Sequence, residues 1–349
     1  MEMIRGLSEL IQSAKYRDAL QLSNNKTEKY IFLAQGEYNI NYYFVHPITN
    51  KKLVLRVNCG SQMHLDHQIE YEYTALKLLQ DSGRTPKVFY VDGSKKYLPH
   101  GILVMEFLEG KSLDYKKDLE CAADILADIH SVDIRKKTSG ASLPLIAPKN
   151  SLQAIYDECT EMFRIYDSSP LADPTKQKII YGLFEKAAKL IDPDTDRQAY
   201  RCCINTELNS SNFLITGCEP HNYLIDWEKP LFGEPAQDIA HFLAPTTTFW
   251  KSDCILDFKS IDTWIDSYMH AVAKRFKTDN IKNRVTQFLP MTCLRGISWC
   301  AMAWVQYQAE SNKIKNKTTW KKINQYLDID FLNMIAVNYF SNFTEGDKP

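Results

Sequence analysis

Three side chains with oxygen atoms that could bind a metal or accept a proton are spaced along residues 205–228. Glu207 is followed five residues later by the amide of Asn212, and fourteen residues beyond that by the carboxylate of Asp226. Asp226 ends a short apolar run, where a carboxylate has no packing reason to be. Hard cations such as Mg²⁺ bind oxygen ligands, so these side chains are of the types that could coordinate one.

The residues before about 110 must supply one part of the framework for such a site. Ile69, Tyr73, Leu76 and Leu79 recur at spacings of three and four, which predicts a helix over 67–79 with one buried face. Runs of β-branched and aromatic residues bounded by Gly, Pro and Asn predict an antiparallel sheet around that helix. The strands are expected at 30–34, 40–45, 52–57, 87–91 and 101–105.

Beyond Gly110 the apolar residues recur at helical spacing. The sequence therefore predicts an α+β chain, with a strand-rich first lobe over 1–107, a mostly helical second lobe over 108–349 and a hinge near 106–110. The main helices of the second lobe are expected at 113–130, 151–166, 174–191, 258–276 and 282–309.

Composition limits the kind of partner. A chain of 349 residues with 44% hydrophobic and 24% charged residues can bury one large core or two. Its formal net charge of -1 gives no electrostatic case for binding nucleic acid or an acidic membrane surface. We therefore expect a small-molecule partner, and the sequence makes no prediction of the oligomeric state.

The nine cysteines and the N-terminal residues favour a cytoplasmic location. An odd number of cysteines with no Cys-x-x-Cys pair does not suit a disulfide framework, so we expect buried free thiols in a reducing compartment. The first residues lack the basic and apolar regions of a signal peptide. No apolar run of 18 residues is evident, so we expect no membrane span.

Taken in order, these segments resemble the aminoglycoside phosphotransferase and choline kinase-like family over nearly the whole chain. The resemblance implies a bilobal protein kinase-like fold and a phosphotransferase that uses ATP and Mg²⁺ to phosphorylate a hydroxyl group of a metabolite, amino sugar or antibiotic. The matching segments, besides 205–228, are 36–39, 55–56, the helix that carries Glu72, 83–86, 105–110, 126–130 and 233–240.

In the first lobe, the resemblance places Gly36 and Asn39 in the hairpin that approaches the nucleotide phosphates. Gly36 has no Cβ and can adopt a positive φ, although a plain hairpin glycine explains it as well. The resemblance also implies that the adenine base bonds to the main chain just after the last strand, over residues 106–108. Glu106 and Leu108 are therefore the candidate residues for contact with the base.

Arg56 lies in the middle of an apolar strand, where a buried charge needs a partner. Kinases place a lysine at this point to hold the phosphates, and an arginine keeps the charge while offering a planar fork. Glu72 is the expected partner and Glu70 is the alternative. We favour Glu72 because it precedes Leu76 and Leu79 by four and seven residues, as the family's acid precedes its two core leucines.

In the second lobe, Asp226 matches the acid that chelates the magnesium ion, and Asn212 lies at the family's spacing to supply a second oxygen. Glu228 follows the family's Asp-x-Glu pattern, which implies a place near the metal or facing the substrate, although an ordinary surface acid is the alternative. Asp238 resembles the acid that braces the catalytic loop by accepting backbone N–H bonds, although an ordinary acid in the first turn of a helix is the alternative.

The chain departs from the family at the catalytic loop, where Asn205 replaces a histidine and Glu207 replaces the catalytic aspartate. A Glu carboxylate can accept or orient a substrate hydroxyl, but it is one methylene longer than Asp. Because Arg56, Asn212 and Asp226 all remain, we favour an active kinase with Glu207 as the catalytic residue. The alternative is a nucleotide-binding pseudokinase with a regulatory or scaffolding role.

Overall fold

The structure is a computed structural model that describes residues 4–23, 28–138, 142–191, 199–217, 221–309 and 316–341. The chain divides into two compact units, each built from several segments of the sequence. Unit 1 comprises Met1–Leu113, Asp124–Ile146 and Ser211–Phe232, and unit 2 comprises Asp114–Ala123, Ala147–Ser210 and Gly233–Pro349. The lobe boundary predicted between residues 107 and 108 stays a prediction.

Unit 1 contains a five-stranded antiparallel sheet with one long helix, as the sequence predicts. The strands lie in the order β1-β2-β3-β5-β4, and the register places Asn41 of β2 opposite Arg56 of β3. The sheet is built from β1 (Ile31–Gln35), β2 (Asn39–Val45), β3 (Lys52–Asn58), β4 (Val88–Asp92) and β5 (Gly101–Glu106), and the helix α3 covers Gln68–Leu79.

Two short helices, α1 (Leu7–Gln12) and α2 (Ala14–Ala19), precede the sheet and were not predicted. Six residues are too few to show a helical period, so the sequence pattern does not reveal them. Their buried side chains join the sheet in one hydrophobic core, where each fully buried side chain contributes about 1.5–3 kcal/mol. That core includes Leu7, Leu10, Ile11, Tyr16, Tyr42, Phe44, Leu55, Val57 and Val104.

A second, smaller antiparallel sheet of unit 1 carries the predicted metal ligands. It comprises β6 (Lys111–Ser112), β8 (Phe213–Ile215) and β9 (Tyr223–Leu224), and a 3-10 turn over Ser210–Asn212 leads into β8. The N–H of Ile225 donates to the carbonyl oxygen of Asn212 at 2.9 Å. The hairpin therefore brings the backbone before β8 next to the backbone after β9.

Unit 2 is mostly helical, as predicted, and four of its helices lie where the sequence placed them. These are α6 (Ser151–Asp167), α7 (Pro174–Ala188), α10 (Phe258–Val272) and α11 (Ile281–Ala309). The predicted helix over 113–130 is α4 (Leu119–His130), which is divided between the two units. The other elements of unit 2 are β7 (Cys202–Ile204), α8 (Pro235–Leu243), α9 (Pro245–Ser252), α12 (Lys317–Tyr326) and α13 (Ile329–Phe340). The short helix α5 (Ile134–Lys137) belongs to unit 1, and β10 (Leu231–Gly233) is divided between the units.

Helix α11 corrects one expectation from the sequence. By length and composition alone it could cross a membrane, although no apolar run of that length was expected. However, 67% of its most apolar window is buried inside the protein, and the core helix of a soluble protein meets the same criterion. Two arginines of α11, Arg284 and Arg295, are held by carboxylates of unit 2.

Candidate active site

Arg56 is buried in β3 and forms the predicted ion pair with Glu72 of α3. Its Nη1 lies 2.5 Å from Glu72 Oε1, and its Nε donates to Asn41 Oδ1 at 3.1 Å. Glu70, the alternative partner, lies instead beside His67, with 3.7 Å between Oε1 and Nδ1. The prediction of Glu72 as the partner of Arg56 is therefore confirmed.

Two further carboxylates of unit 1 face the same guanidinium. Arg56 Nη1 lies 3.8 Å from Asp226 Oδ1 and 3.7 Å from Glu228 Oε1. Arg56, Glu72, Asp226 and Glu228 together are called the Arg56 cluster below. One positive charge and three carboxylates give the cluster an excess of negative charge when all of them are ionised.

The pKa values in the Arg56 cluster reflect its burial and crowding. Burial lowers the pKa of Arg56, but Glu72, Asp226 and Glu228 raise it by a larger amount. Burial raises the pKa of Glu72, against the opposing effect of Arg56. Burial, followed by the charge of Asp226, raises the pKa of Glu228 to about 8. Because crowded carboxylates disfavour each other's ionised forms, the cluster can accommodate an added cation.

We expect Glu72→Ala to lower the free energy of unfolding by about 3 kcal/mol, because it leaves the buried guanidinium of Arg56 without its closest acid. The loss should fall at the low end of the range for broken buried pairs, since Asp226 and Glu228 remain nearby. Denaturant unfolding measures the difference. Glu70→Ala on the same helix is the control and should change stability by less than about 0.5 kcal/mol. Equal losses in both variants would contradict the assignment.

Asn39, predicted to contact the nucleotide, holds Glu228 in place. Its Nδ2 donates to Glu228 Oε1, while its own Oδ1 accepts a hydrogen bond from Asn58 Nδ2 at 2.9 Å. The side chain of Gln68 also donates to the main-chain oxygen of Glu228, at 2.6 Å. The start of β2 and the residues after β9 are thus joined through Asn39, and Glu228 enters the site although it was only an open alternative in the sequence.

Asp226 and Asn212 are the predicted metal ligands. Asp226 follows β9 with a left-handed φ of 67°, and its side chain is 42% exposed. Asn212 is buried, and its main-chain oxygen is bonded to the residue before Asp226. Left-handed conformations are uncommon outside glycine and occur most often for Asn and Asp, so the turn suits an aspartate.

The residues of the Arg56 cluster and Asn212 fit Mg²⁺ as a bound ion. All their candidate ligand atoms are oxygens, and the buried Oε2 of Glu72 has no hydrogen-bond partner among the described residues. Within those residues, no group of three or more His, Cys, Asp or Glu side chains is arranged to hold a metal by itself. Mg²⁺ typically binds one or two carboxylates and completes its shell with water and phosphate oxygens, so Asp226 and Asn212 suffice.

Gly36 lies between β1 and β2 and does not adopt the positive φ that glycine allows. Its φ is outside the left-handed range, and a Cβ added there would meet only the main-chain oxygen of Asn39, at 3.8 Å. The N–H of Gly36 donates to that same oxygen at 2.8 Å. Gly36 therefore does not use its capacity for a positive φ, while contact of Gly36 with a nucleotide stays a prediction.

The segment predicted to contact the adenine base follows β5. The N–H of Glu106 donates to the main-chain oxygen of Lys87 at 2.8 Å, and the N–H of Phe107 donates to that of Lys52 at 3.3 Å. Leu108 is half-buried just beyond these bonds. The sheet therefore fixes the backbone up to Phe107, and base contact at Glu106 and Leu108 stays a prediction.

The predicted catalytic loop belongs to unit 2 and is anchored by Asp238 of α8. The two carboxylate oxygens of Asp238 accept the N–H groups of Asn205 and Thr206, each at 2.7 Å. Thr206 has a φ of 69°, which is an outlier for a β-branched residue and costs on the order of 1–3 kcal/mol. The bracing role expected for Asp238 is thus observed, and it holds a strained loop.

Glu207 is fixed at both its backbone and its side chain. Its N–H donates to Asn205 Oδ1 at 3.1 Å, so Asn205 braces the loop as expected. Its Oε1 accepts a hydrogen bond from Arg295 Nη2 at 2.7 Å, and the side chain remains 32% exposed. Arg295 also pairs with Glu158 of α6, at 2.9 Å between Nε and Oε2.

Sequence reasoning missed Arg295 and Glu158. A usable signal existed, because Arg295 is a lone charge inside the apolar stretch 288–304 of α11, just as Arg56 is a lone charge in an apolar strand. The acid that such an arginine meets was not deducible, since Glu207 lies 88 residues away in the sequence. Of the predicted residues, the structure brings together Arg56, Glu72 and Asp226 in unit 1.

Comparison with protein families shows which family the chain belongs to. Residues 29–271 match the profile of the family described as the phosphotransferase enzyme family. The chain belongs to this family. The resemblance read from the sequence is therefore confirmed. No curated protein matches the chain in sequence.

Solved structures of phosphotransferases share the fold at 14% sequence identity. A protein from Ralstonia eutropha JMP134, described as an aminoglycoside phosphotransferase, has a TM-score of 0.70 and covers 94% of this chain and 96% of its own. Ethanolamine kinase from Plasmodium vivax has a TM-score of 0.62, with 94% and 90% covered. Spectinomycin phosphotransferase, solved with ADP and spectinomycin, has a TM-score of 0.57, with 90% and 93% covered. The predicted α+β, protein kinase-like fold class is confirmed.

Proposed function

We propose that this phosphotransferase uses ATP and Mg²⁺ to phosphorylate a hydroxyl group of a small molecule. The observation that carries the proposal is the Arg56 cluster, in which one buried guanidinium faces three carboxylates. One of them belongs to Asp226, and the residue before Asp226 is bonded through its backbone to Asn212. Burying charge is costly unless the charge is balanced, and three carboxylates facing one guanidinium leave an excess of negative charge that a bound cation would offset. A polyphosphate that carries a bound metal ion would fit the Arg56 cluster, because the metal would face the carboxylates and the phosphates would face the guanidinium.

Within this proposal each residue of unit 1 has a defined task. Arg56, aimed by Glu72, would bind phosphate oxygens, while Asp226 and Asn212 would hold the metal ion. Bound Mg²⁺ would neutralise negative charge on the phosphates. Gly36 and Asn39 would contact the phosphates, and Glu106 and Leu108 would contact the base through the main chain. Glu72 would act indirectly, through Arg56, and Asn39 would in addition hold Glu228.

In the proposed reaction, a hydroxyl oxygen of the acceptor forms a bond to the γ-phosphorus of ATP. The bond from that phosphorus to the oxygen bridging to ADP breaks, and ADP leaves with the bonding electron pair. The hydroxyl proton passes to the carboxylate of Glu207, and from there to solvent. Because phosphoryl transfer has a loose transition state, orientation of the hydroxyl matters more than the basicity of Glu207.

The class of substrate and nucleotide is supported by similar structures. Spectinomycin phosphotransferase was solved with ADP and spectinomycin, and another similar protein is named an ethanolamine kinase. We therefore propose an adenine nucleotide as donor and a metabolite, amino sugar or antibiotic as acceptor. The eight cysteines in the described residues are free thiols, in keeping with the proposed cytoplasmic location.

The proposal is tested by incubating the protein with radiolabelled ATP, Mg²⁺ and a panel of simple alcohols, cationic alcohols and amino sugars. We expect label on at least one acceptor class, with one ADP formed for each labelled acceptor. Chelation of Mg²⁺ by excess EDTA should abolish transfer, and restored Mg²⁺ should recover it. Nucleotide binding without transfer to any acceptor or to water would favour the pseudokinase alternative.

A further inference from the structure

The guanidinium of Arg295 joins the predicted catalytic residue to a second acid of unit 2. Its Nη2 donates to Glu207 Oε1 at 2.7 Å and to Glu158 Oε1 at 3.2 Å, while its Nε donates to Glu158 Oε2 at 2.9 Å. Glu158 therefore receives two hydrogen bonds in the fork geometry that arginine favours. Glu158 thus orients the planar guanidinium of Arg295, and the Nη2 atom of that guanidinium also binds Glu207.

Arg295 is well suited to hold a carboxylate in a fixed position. Its side chain is 15% exposed, and it projects from the middle of α11, a 29-residue helix of the unit 2 core. Burial lowers the pKa of Arg295, but Glu207 and Glu158 raise it by more, so the guanidinium stays charged. A charged hydrogen bond from a rigid element fixes its partner more tightly than a flexible surface lysine would.

The same helix contains a similar pair that provides an internal comparison. Arg284 is buried and binds Glu234 through two hydrogen bonds, at 2.6 Å from Nε and 2.5 Å from Nη2. That pair links α11 to the start of α8 and involves no residue of the predicted site. Arg284 thus has the structural features of Arg295 without its bond to Glu207.

We propose that Arg295 is a positioning residue that fixes the carboxylate of Glu207, with Glu158 holding the guanidinium in place. This inference rests on the proposed function, since it assigns Glu207 the task of orienting the acceptor hydroxyl. Oε1 of Glu207 is bound by Arg295, and a carboxylate has a second oxygen with which to accept a hydroxyl hydrogen. Arg295 itself touches no reacting atom.

The pairing also explains why the chain has Glu207 where the resembling family has aspartate. Removing one methylene withdraws a carboxylate by up to about 1.5 Å, roughly the length of one C–C bond. The distance from Arg295 Nη2, now 2.7 Å, would then approach about 4 Å, beyond hydrogen-bond range. The longer side chain and the arginine on α11 therefore act as a unit.

The test compares the turnover of Arg295→Met and Arg295→Lys with that of the parent protein. Because displacement of a catalytic group by about 1 Å costs on the order of 10²-fold, we expect Arg295→Met to lower kcat by about that factor. The KM for ATP should change less than about threefold, since Arg295 does not touch the nucleotide. Arg295→Lys should recover about tenfold, because it restores the charge without the fork.

Arg284→Met is the matched control, since it breaks a buried arginine pair of the same helix. It should lower stability as Arg295→Met does while leaving kcat within about threefold of the parent. If Arg284→Met lowers kcat as much as Arg295→Met, Arg295 acts only on stability and the proposal is overturned. If either methionine variant fails to fold, Arg295→Lys is compared with Arg284→Lys by the same criterion.

Double variants then isolate the pairing. With Glu207→Gln already present, adding Arg295→Met should lower kcat by less than about threefold, because both changes act through one group. In the Arg295→Met background, the further change Glu207→Asp should leave kcat nearly unchanged. Losses that multiply in the double variant would overturn the proposal.

Unfolding measurements distinguish failure of the proposed function from failure of the pairing. If no acceptor, water included, receives phosphate, the proposed function is wrong, but the contact between Arg295 and Glu207 is still testable. We expect the effects of Arg295→Met and Glu207→Gln on the denaturation midpoint to be non-additive. Additive effects would overturn the pairing whether or not the protein turns over ATP.

Discussion

Glu207→Gln is expected to lower turnover about 10²- to 10⁴-fold while nucleotide affinity stays nearly constant. The amide keeps the size of the side chain, but it cannot accept the hydroxyl proton and weakens the bond to Arg295, which lies 2.7 Å from Glu207 Oε1. Transfer of labelled phosphate measures kcat, and calorimetry measures binding of the nucleotide with Mg²⁺. A loss confined to kcat would assign Glu207 to the chemical step.

Glu207→Asp is the control that shows whether turnover needs only a carboxylate at this position or a carboxylate at the correct distance from Arg295. It keeps the acid but withdraws it from Arg295, so turnover should also fall, by about 10²-fold. Increased turnover would mean that the loop retains the geometry of an aspartate loop and that Glu207 is a handicap. Unchanged turnover in both variants would remove Glu207 from the mechanism altogether.

Asp226→Ala is expected to abolish Mg²⁺-dependent nucleotide binding and to lower turnover by at least about 10²- to 10³-fold. The change removes the carboxylate in the turn after β9 that lies 3.8 Å from Arg56 Nη1 and is 42% exposed. Mg²⁺ requires oxygen ligands, and Asn212 alone would offer only one neutral oxygen. Calorimetric titration of ATP with and without Mg²⁺ measures the loss directly.

The left-handed φ of Asp226 calls for controls, because alanine is strained in that conformation. Asp226→Asn tolerates the same backbone while losing the charge, so it should lose most metal-dependent binding without the added instability. Asp253 also has a left-handed φ, of 52°, but it is an exposed residue in unit 2. Asp253→Ala should therefore destabilise the fold slightly and leave nucleotide binding intact. If it weakens binding as Asp226→Ala does, backbone strain rather than metal coordination explains the loss.

How much of the fold could be predicted from the sequence depends on the length of each helix or strand. Helix α3 and the strands β2, β3 and β5 are long enough to show a clear period or a clear β-branched run, and each was placed within about two residues. Helices α1 and α2 have six residues each, so no period is visible. Helices α12 and α13 were not predicted either.

Site residues could be predicted where a charged side chain interrupts an apolar segment of the sequence. A charge in an apolar strand identified Arg56, and an acid at a strand end identified Asp226. The partner of Arg56 was identified because Glu72 precedes Leu76 and Leu79 at the spacing of the resembling family's acid. Glu207 meets Arg295 only through the packing of α11 in unit 2, and no local pattern encodes that contact. The conformation of Gly36 could not be deduced from its residue type, because glycine can adopt either sign of φ and this hairpin closes without a left-handed residue at that position.

The most direct test of the Arg56 cluster as a metal and phosphate site is a crystal structure with Mn²⁺ and a non-hydrolysable ATP analogue. Anomalous scattering locates Mn²⁺ independently of the protein atoms, and Mn²⁺ accepts the same oxygen ligands as Mg²⁺. The predicted result is a metal peak within bonding distance of the side-chain oxygens of Asp226 and Asn212, with phosphate oxygens on Arg56. A peak elsewhere, or bound nucleotide whose phosphates do not contact Arg56, would contradict the assignment.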